Sequence, residues 1–273
     1  MSNTFHSISR GLAAFLFLGC AAQFPLAQQT APLRVAAASD LKFAMDQLAS
    51  QFERQTSTKV ALTYGSSGNL YSQIQNGAPF DLFFSADIEY PRKLESAGLT
   101  IPGSLYQYAI GRIVLWTPSD SKVEVSHSGW NALLEPQVQK IAIANPDHAP
   151  YGRAAVAALR NAGIYDQVKS KLVFGENISQ AAQFVQTGSA QAGILALSLA
   201  VSPAMKDGKR WEVPATLHPP LDQAVVILKN SNNLDSTRAF LAFIRSPAAR
   251  LILEKFGFAL PSASSQPTPS VSR

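Results

Sequence analysis

Along this chain, short strand-like apolar runs repeatedly open onto helical patterns across turns of small polar residues. That alternation demands largely parallel strands covered by helices. Residues 33–38 lead into a segment where Leu41, Met45, Leu48, Ala49 and Phe52 recur at helical spacing. Residues 60–64 form the next strand-like run, residues 65–68 (Gly-Ser-Ser-Gly) a tight turn, and residues 70–76 a short helix. The unit repeats with a strand at 81–84, Asp87 as a cap, and a helix at 88–97 stopped by Gly98. Residues 106–116 then read as one long strand, 130–134 as a helical turn and 141–144 as a buried strand. A helix at 152–162 carries Ala155, Val156 and Leu159 on one face. Strands near 172–174 and 193–196 flank a helix at 178–187, and a strand at 223–228 precedes two helices parted by Ser246 and Pro247. The fold class is α/β.

With 273 residues, 47% of them hydrophobic, the chain can bury a full core and has the size at which one core tends to become two lobes. His6 and Arg10 ahead of an apolar stretch at 11–22, followed by Phe24-Pro25-Leu26-Ala27, have the layout of a secretory leader, residues 1–27. The apolar run is short for a membrane span. The single cysteine, Cys20, lies in that leader, so the exported part is expected to hold no disulfide and no thiolate site. Leu18-Gly19-Cys20 has some likeness to a lipoprotein processing site, with Phe17 where a leucine is usual, so lipidation stays open beside cleavage. Residues 261–273 are rich in serine and proline and read as a disordered tail. The formal charge of +5 is spread without long basic runs, which argues against a nucleic-acid surface.

Four turns each join a strand end to a helix start: Ser39-Asp40, the 65–68 turn with Ser66 and Ser67, Ala149-Pro150-Tyr151-Gly152, and Glu176-Asn177-Ile178. In open parallel sheets, ligands bind beyond the carboxyl ends of the strands. Helix N-termini there present unpaired N–H groups and a partial positive charge, and serine hydroxyls add donors without adding charge. Each turn alone has a plainer explanation as a cap or loop: Ser39, Asp40 and Asn177 are good N-cap residues, and glycines serve tight turns anywhere.

Taken in order, these segments resemble the molybdate-binding proteins of bacterial ABC importers, which are periplasmic binding proteins of type 2. The resemblance is carried by Ala36-Ala37-Ala38-Ser39-Asp40-Leu41, by Tyr64-Gly65-Ser66-Ser67-Gly68-Asn69-Leu70, and by residues 77–87, 145–152 and 175–178. It implies two lobes, each with a mainly parallel sheet flanked by helices, joined by two crossovers that act as the hinge. Lobe one would comprise residues 31–108 and a return at 221–260, and lobe two residues 109–220. It further implies hydroxyl and N–H donors from Ser39 and Ser67, N–H donors from Tyr151 and Ile178, and further N–H groups from Asp40 and Ser66. The ligand would be molybdate or tungstate, and the partners an ABC permease and its ATPase, with the binding protein an exported monomer. The sequence departs from the family pattern where some members use a tyrosine hydroxyl: the matching position is Ala196, so another group, such as the Asp40 N–H, would take that place.

A tetrahedral dianion offers only acceptors, so a site made of N–H and O–H donors suits it without lysine or arginine. Receptors for sulfate, phosphate or another oxyanion remain an alternative within the class. A serine hydrolase using Ser39 or Ser67 with His148 is the alternative from another class, though no nucleophile motif surrounds either serine. Arg153, close behind Tyr151, reads as a solvated surface residue or as a contributor to the local potential. The scattered residues Asp40, Asp81, Asp87 and His148 read as caps and turn residues rather than as a metal set.

Overall fold

The computed structural model describes Ser2 and residues 31–262. Apart from Ser2, the expected leader with Cys20 lies outside the described residues, as do residues 263–273 of the expected tail. Among the described residues no helix is long and apolar enough to cross a membrane.

The first lobe begins with β1 (Leu33–Ala38), a 3₁₀ turn at Ser39–Leu41 and α1 (Lys42–Thr56). There follow β2 (Val60–Gly65), α2 (Ser67–Gln75), β3 (Leu82–Ser85), α3 (Glu89–Ser96) and β4 (Tyr106–Gly111). The second lobe holds β5 (Ile113–Thr117), α4 (Val125–Ser128), β6 (Ile141–Ala144), α5 (Pro150–Asn161) and α6 (Tyr165–Val168). It continues through β7 (Leu172–Gly175), α7 (Ile178–Gln186), β8 (Ala192–Ala196), α8 (Leu197–Ala200) and β9 (Lys209–Glu212). The chain returns to the first lobe with β10 (Leu221–Ile227), α9 (Leu234–Ile244) and α10 (Pro247–Lys255).

Two five-stranded sheets result, ordered β2-β1-β3-β10-β4 and β7-β6-β8-β5-β9. Both are mixed, with four strands of each running one way and the fifth against them. In the first, β1 pairs in parallel with β2 and β3, whereas β10 runs antiparallel to β3 and β4. In the second, β6 is parallel to β7 and β8, whereas β5 is antiparallel to β8 and β9. The strands that carry the chain between lobes account for the reversed pairings, because each enters its sheet without a covering helix to turn it round.

The run 106–116 is two strands, not one. Arg112 breaks it, and the chain leaves the first sheet there, a few residues later than the boundary at 108/109 that the sequence suggested. Apolar continuity hid the break, because β4 and β5 are both largely buried. The Arg112 guanidinium pairs with Glu212 at the end of β9, which ties the outgoing crossover to the returning one.

Each lobe has its own core. Leu41 of the 3₁₀ turn and Met45, Leu48 and Phe52 of α1 pack with Phe84, Tyr108 and Phe240 in the first, the Phe52 and Phe240 rings meeting edge to face at 4.9 Å. In the second, the buried strands β5, β6 and β8 pack with Leu159 of α5 and Val185 of α7. These cores hold the carboxyl ends of β1, β2, β6 and β7, where the helices begin.

Candidate functional site

All four sequence-selected turns meet at one place. A small, nearly filled cavity is lined by Ala38, Ser39, Asp40, Gly65, Ser66, Ser67 and Ala86 from the first lobe and by Ala149, Pro150, Tyr151 and Ile178 from the second. The six candidates Ser39, Asp40, Ser66, Ser67, Tyr151 and Ile178 are thus brought together, and each is at most 5% exposed. No lysine, arginine or histidine lines it among the described residues.

Local sequence explains the convergence. After β1, Ser39–Leu41 winds into a 3₁₀ turn that feeds α1, so the N–H groups of Ser39 and Asp40 precede any helical acceptor. Ser66 caps α2 by accepting the Asn69 N–H, which puts Ser67 at the first helical position. Pro150 opens α5, where its missing N–H costs nothing and leaves Tyr151 with a free-facing first-turn N–H. Asn177 caps α7 by accepting from Ser179 and Gln180, and Ile178 follows it. Four helix starts therefore direct their unpaired donors at one volume, an arrangement suited to an anion.

The two serine hydroxyls differ in how they are held. Ser67 Oγ accepts the Ala86 N–H at 2.9 Å, which occupies an acceptor position and leaves its proton to donate. Ser39 Oγ takes a long bond, 3.4 Å, from the Ser179 N–H across the lobes. Ser66 Oγ is engaged elsewhere, with the Asn69 N–H and, at 2.9 Å, with His148 Nδ1, so only its N–H faces the cavity question.

Contacts between lobes surround the cavity and show it closed. The Gly68 N–H donates to the His148 carbonyl at 2.9 Å, and the Ser179 hydroxyl to the Ser39 carbonyl at 2.9 Å. The Ser198 hydroxyl donates to the Asp40 carbonyl at 2.8 Å, and Asn69 reaches Glu176. Gly68 must be glycine for this approach: a Cβ there would sit 2.6 Å from the His148 carbonyl oxygen. Arg153 stands outside the cavity, exposed to solvent as expected but also paired with Asp87 of the first lobe and 5.6 Å from the Tyr90 ring centre, so it is a solvent-facing contact between the lobes.

Beneath the cavity lies a buried polar chain that sequence reasoning missed. Tyr108 donates to Gln223 Oε1 at 2.7 Å, Gln223 Nε2 donates to Asp40 Oδ2 at 2.6 Å, and the Tyr151 hydroxyl donates to the same oxygen at 3.1 Å. Burial pushes the Asp40 carboxyl up to about 6, against the lowering effect of its bonds from Gln223 and Tyr151. Burial, then the neighbouring Asp40 charge, pushes both tyrosines upward, so they stay neutral hydroxyls. A fully buried glutamine ahead of the apolar run Ala224–Ile227 was the available signal for this chain.

Ala196, at the end of β8, is fully buried and offers no donor, while two residues on Ser198 makes the contact to the Asp40 turn. The hydrolase arrangement is not formed. His148 meets Ser66 rather than Ser39 or Ser67, and Glu176 stands 3.7 Å from its other nitrogen, beyond hydrogen-bond reach. Among the described residues no cluster of three or more His, Cys, Asp or Glu is placed to hold a metal ion.

Residues 33–259 match the family model described as bacterial extracellular solute-binding protein. The molybdate-binding protein ModA of Azotobacter vinelandii is 41% identical over 249 residues, covering 89% of this chain and 93% of that one. ModA of Rhodobacter capsulatus is 37% identical over 207 residues, 76% of this chain and 80% of the relative. Among solved structures, the periplasmic molybdate-binding protein of Azotobacter vinelandii superposes with a TM-score of 0.80 at 35% identity, covering 84% of this chain and 100% of its own. The sulfate-binding protein SubI of Mycobacterium tuberculosis, at 15% identity and a TM-score of 0.69, shares the fold.

Proposed function

Since the chain belongs to the bacterial extracellular solute-binding proteins, and is a binding protein rather than an enzyme, we propose that its solute is molybdate, with tungstate as the equivalent ligand. The observation that carries this reading is the cavity itself: six residues from both lobes converge on it, with donors in excess and no cationic side chain. A doubly deprotonated tetrahedral oxyanion accepts hydrogen bonds at every oxygen and donates none, so N–H and O–H groups satisfy it completely. Its charge is met by four helix N-termini rather than by an ion pair.

Ser39 and Ser67 supply hydroxyl donors and Tyr151 and Ile178 supply N–H donors, with the N–H groups of Asp40 and Ser66 beside them. Closure expels water, which strengthens each of these bonds in the less polarisable interior. The lobes turn about the crossovers at Arg112 and at residues 213–220, and the contacts between Gly68 and His148 and between Asp87 and Arg153 form as the cleft shuts. The closed form is then the one recognised by an ABC permease and its ATPase, to which an exported binding protein of this class hands its solute.

Discrimination against sulfate, which has the same charge and shorter bonds, comes from cavity size, because a smaller anion leaves some donors out of reach. Protonated phosphate brings a donor of its own into a site that offers it few acceptors. Isothermal titration of the purified protein with molybdate, tungstate, sulfate and phosphate tests the reading. The expected result is tight one-to-one binding of the first two and weak or no binding of the others. Preference for sulfate or phosphate would overturn it.

A further inference from the structure

Asp40 is the cavity residue whose side chain breaks the pattern of neutral donors. Its Oδ2 takes the Gln223 amide and the Tyr151 hydroxyl, but its Oδ1 is buried with no well-formed hydrogen bond, only the N–H groups of Asp40 and Leu41 lying close to the carboxyl. An ionised carboxylate oxygen left in that state is costly. The groups that act on the carboxyl are Gln223 from β10, Tyr151 from α5 and the N–H groups of Asp40 and Leu41, with Tyr108 from β4 behind Gln223 and Ser198 from α8 bonded to the Asp40 carbonyl. The two titratable ones are neutral hydroxyls, and among the described residues no lysine, arginine or histidine bonds to the carboxyl. Ionised, Asp40 would add a third negative charge beside a bound dianion with no cationic side chain to offset it, inside a closed cleft where charges are poorly screened.

We propose that the Asp40 carboxyl carries a proton in the closed, anion-loaded protein, so that each oxyanion captured brings one proton with it from solvent. The inference rests on the oxyanion reading and deepens it. The added proton removes the repulsion and gives the orphaned carboxyl a donor. Burial acts in the same direction, since it already holds the group at about 6 with no anion present. In an open cleft Tyr151 departs with the second lobe and water reaches the carboxyl, returning it toward the ordinary value of about 3.9. A dianion alongside pushes the closed-form value further upward. Because the closed-form value is the raised one, closure is favoured at low pH and weakens as pH rises through about 6 and beyond. Gly111, at the outgoing crossover, lets the Tyr151 hydroxyl and Gln223 lie against the backbone, so the bonds around Asp40 are completed at the hinge itself.

The test is calorimetric titration of the protein with molybdate in two buffers of different ionisation enthalpy, repeated from about pH 8 down to about pH 6. Expected is net uptake approaching one proton per anion, with affinity rising as pH falls by up to about tenfold per pH unit. Asp40→Asn keeps the shape but is always neutral, and should bind with no proton uptake and a flat pH profile. Absence of uptake by the unaltered protein overturns the proposal, and so does equal uptake by Asp40→Asn. Preference for protonated phosphate over molybdate overturns it as well, because an ionised Asp40 would then be serving as an acceptor. Heat of binding without proton uptake removes this inference alone, whereas no heat with any oxyanion removes the underlying reading too.

Discussion

The Ser67 hydroxyl accepts the Ala86 N–H at 2.9 Å, so the turn after β2 is fastened to the end of β3 by the same oxygen whose proton is left to face the cavity. One small side chain thereby links the architecture of the first lobe to the donor set. Ser39 holds the equivalent place after β1, and its carbonyl receives the Ser179 hydroxyl of the other lobe at 2.9 Å.

Removing either hydroxyl should therefore weaken anion binding. Ser39→Ala and Ser67→Ala are each expected to cost about 1–3 kcal/mol, or roughly 5- to 150-fold in affinity, because each leaves a buried anion short of one partner. Ser67→Ala should also lower thermal stability without ligand, since the Ala86 N–H loses its acceptor. Titration calorimetry and thermal melts separate the two effects, and unchanged affinity in both variants would remove these serines from the site.

Gly68→Ala should act on closure rather than on folding. The added methyl would meet the His148 carbonyl oxygen at 2.6 Å, and that backbone belongs to the opposite lobe. The Tyr90 hydroxyl of the same lobe, 2.7 Å away, is the tip of a side chain that can swing aside, whereas the backbone clash costs about 1–3 kcal/mol and arises only when the lobes shut. Molybdate affinity should fall accordingly while the melting temperature of the unliganded protein changes little. Small-angle scattering should show the loaded variant more extended than the loaded parent.

Arg153→Ala should have a smaller effect. Its partner Asp87 is mostly enclosed but the guanidinium is 43% exposed, so solvent screens the pair. The expected loss is about 0.2–1 kcal/mol of binding free energy, at most roughly fivefold, and it should shrink as salt is raised. Calorimetry at low and high ionic strength measures both.

Acid stability should trace to Asp81. Burial alone raises this carboxyl, but the bonds from Arg34 and Ser231 more than offset it, and the net position is below the ordinary carboxylate range. A depressed value means stability that is present above about pH 4 and lost as pH falls through the folded-state value. Asp81→Asn should destabilise the protein by about 1–3 kcal/mol near neutrality, with the gap to the parent closing in acid. Chemical unfolding between about pH 7 and about pH 3 tests it, and a constant gap would contradict it.

Much of this molecule is legible in its residues because strand-to-helix turns announce themselves. The Ser66-Ser67 pair between two glycines and Pro150 ahead of Tyr151 are signals of local backbone geometry, and local geometry is what places N–H groups. The break at Arg112 was not legible, since apolar strands on either side read alike whichever sheet they join. Nor was the chain from Tyr108 through Gln223 to Asp40, whose members are far apart in sequence and meet only through strand pairing and lobe closure. Arg153 is exposed as the sequence suggested, but nothing local revealed that Asp87 lies opposite it. The short strand Lys209–Glu212 escaped notice for a related reason, its pattern being half exposed and charged.

The most direct measurement is a crystal structure of the protein grown with molybdate, with the metal located by its anomalous scattering. A single strong peak is predicted inside the cavity, its oxygens within hydrogen-bond distance of Ser39 and Ser67 from one lobe and of the Tyr151 and Ile178 N–H groups from the other. A peak elsewhere, or an anion held by a lysine or arginine side chain, would contradict the claim that neutral donors from both lobes capture it.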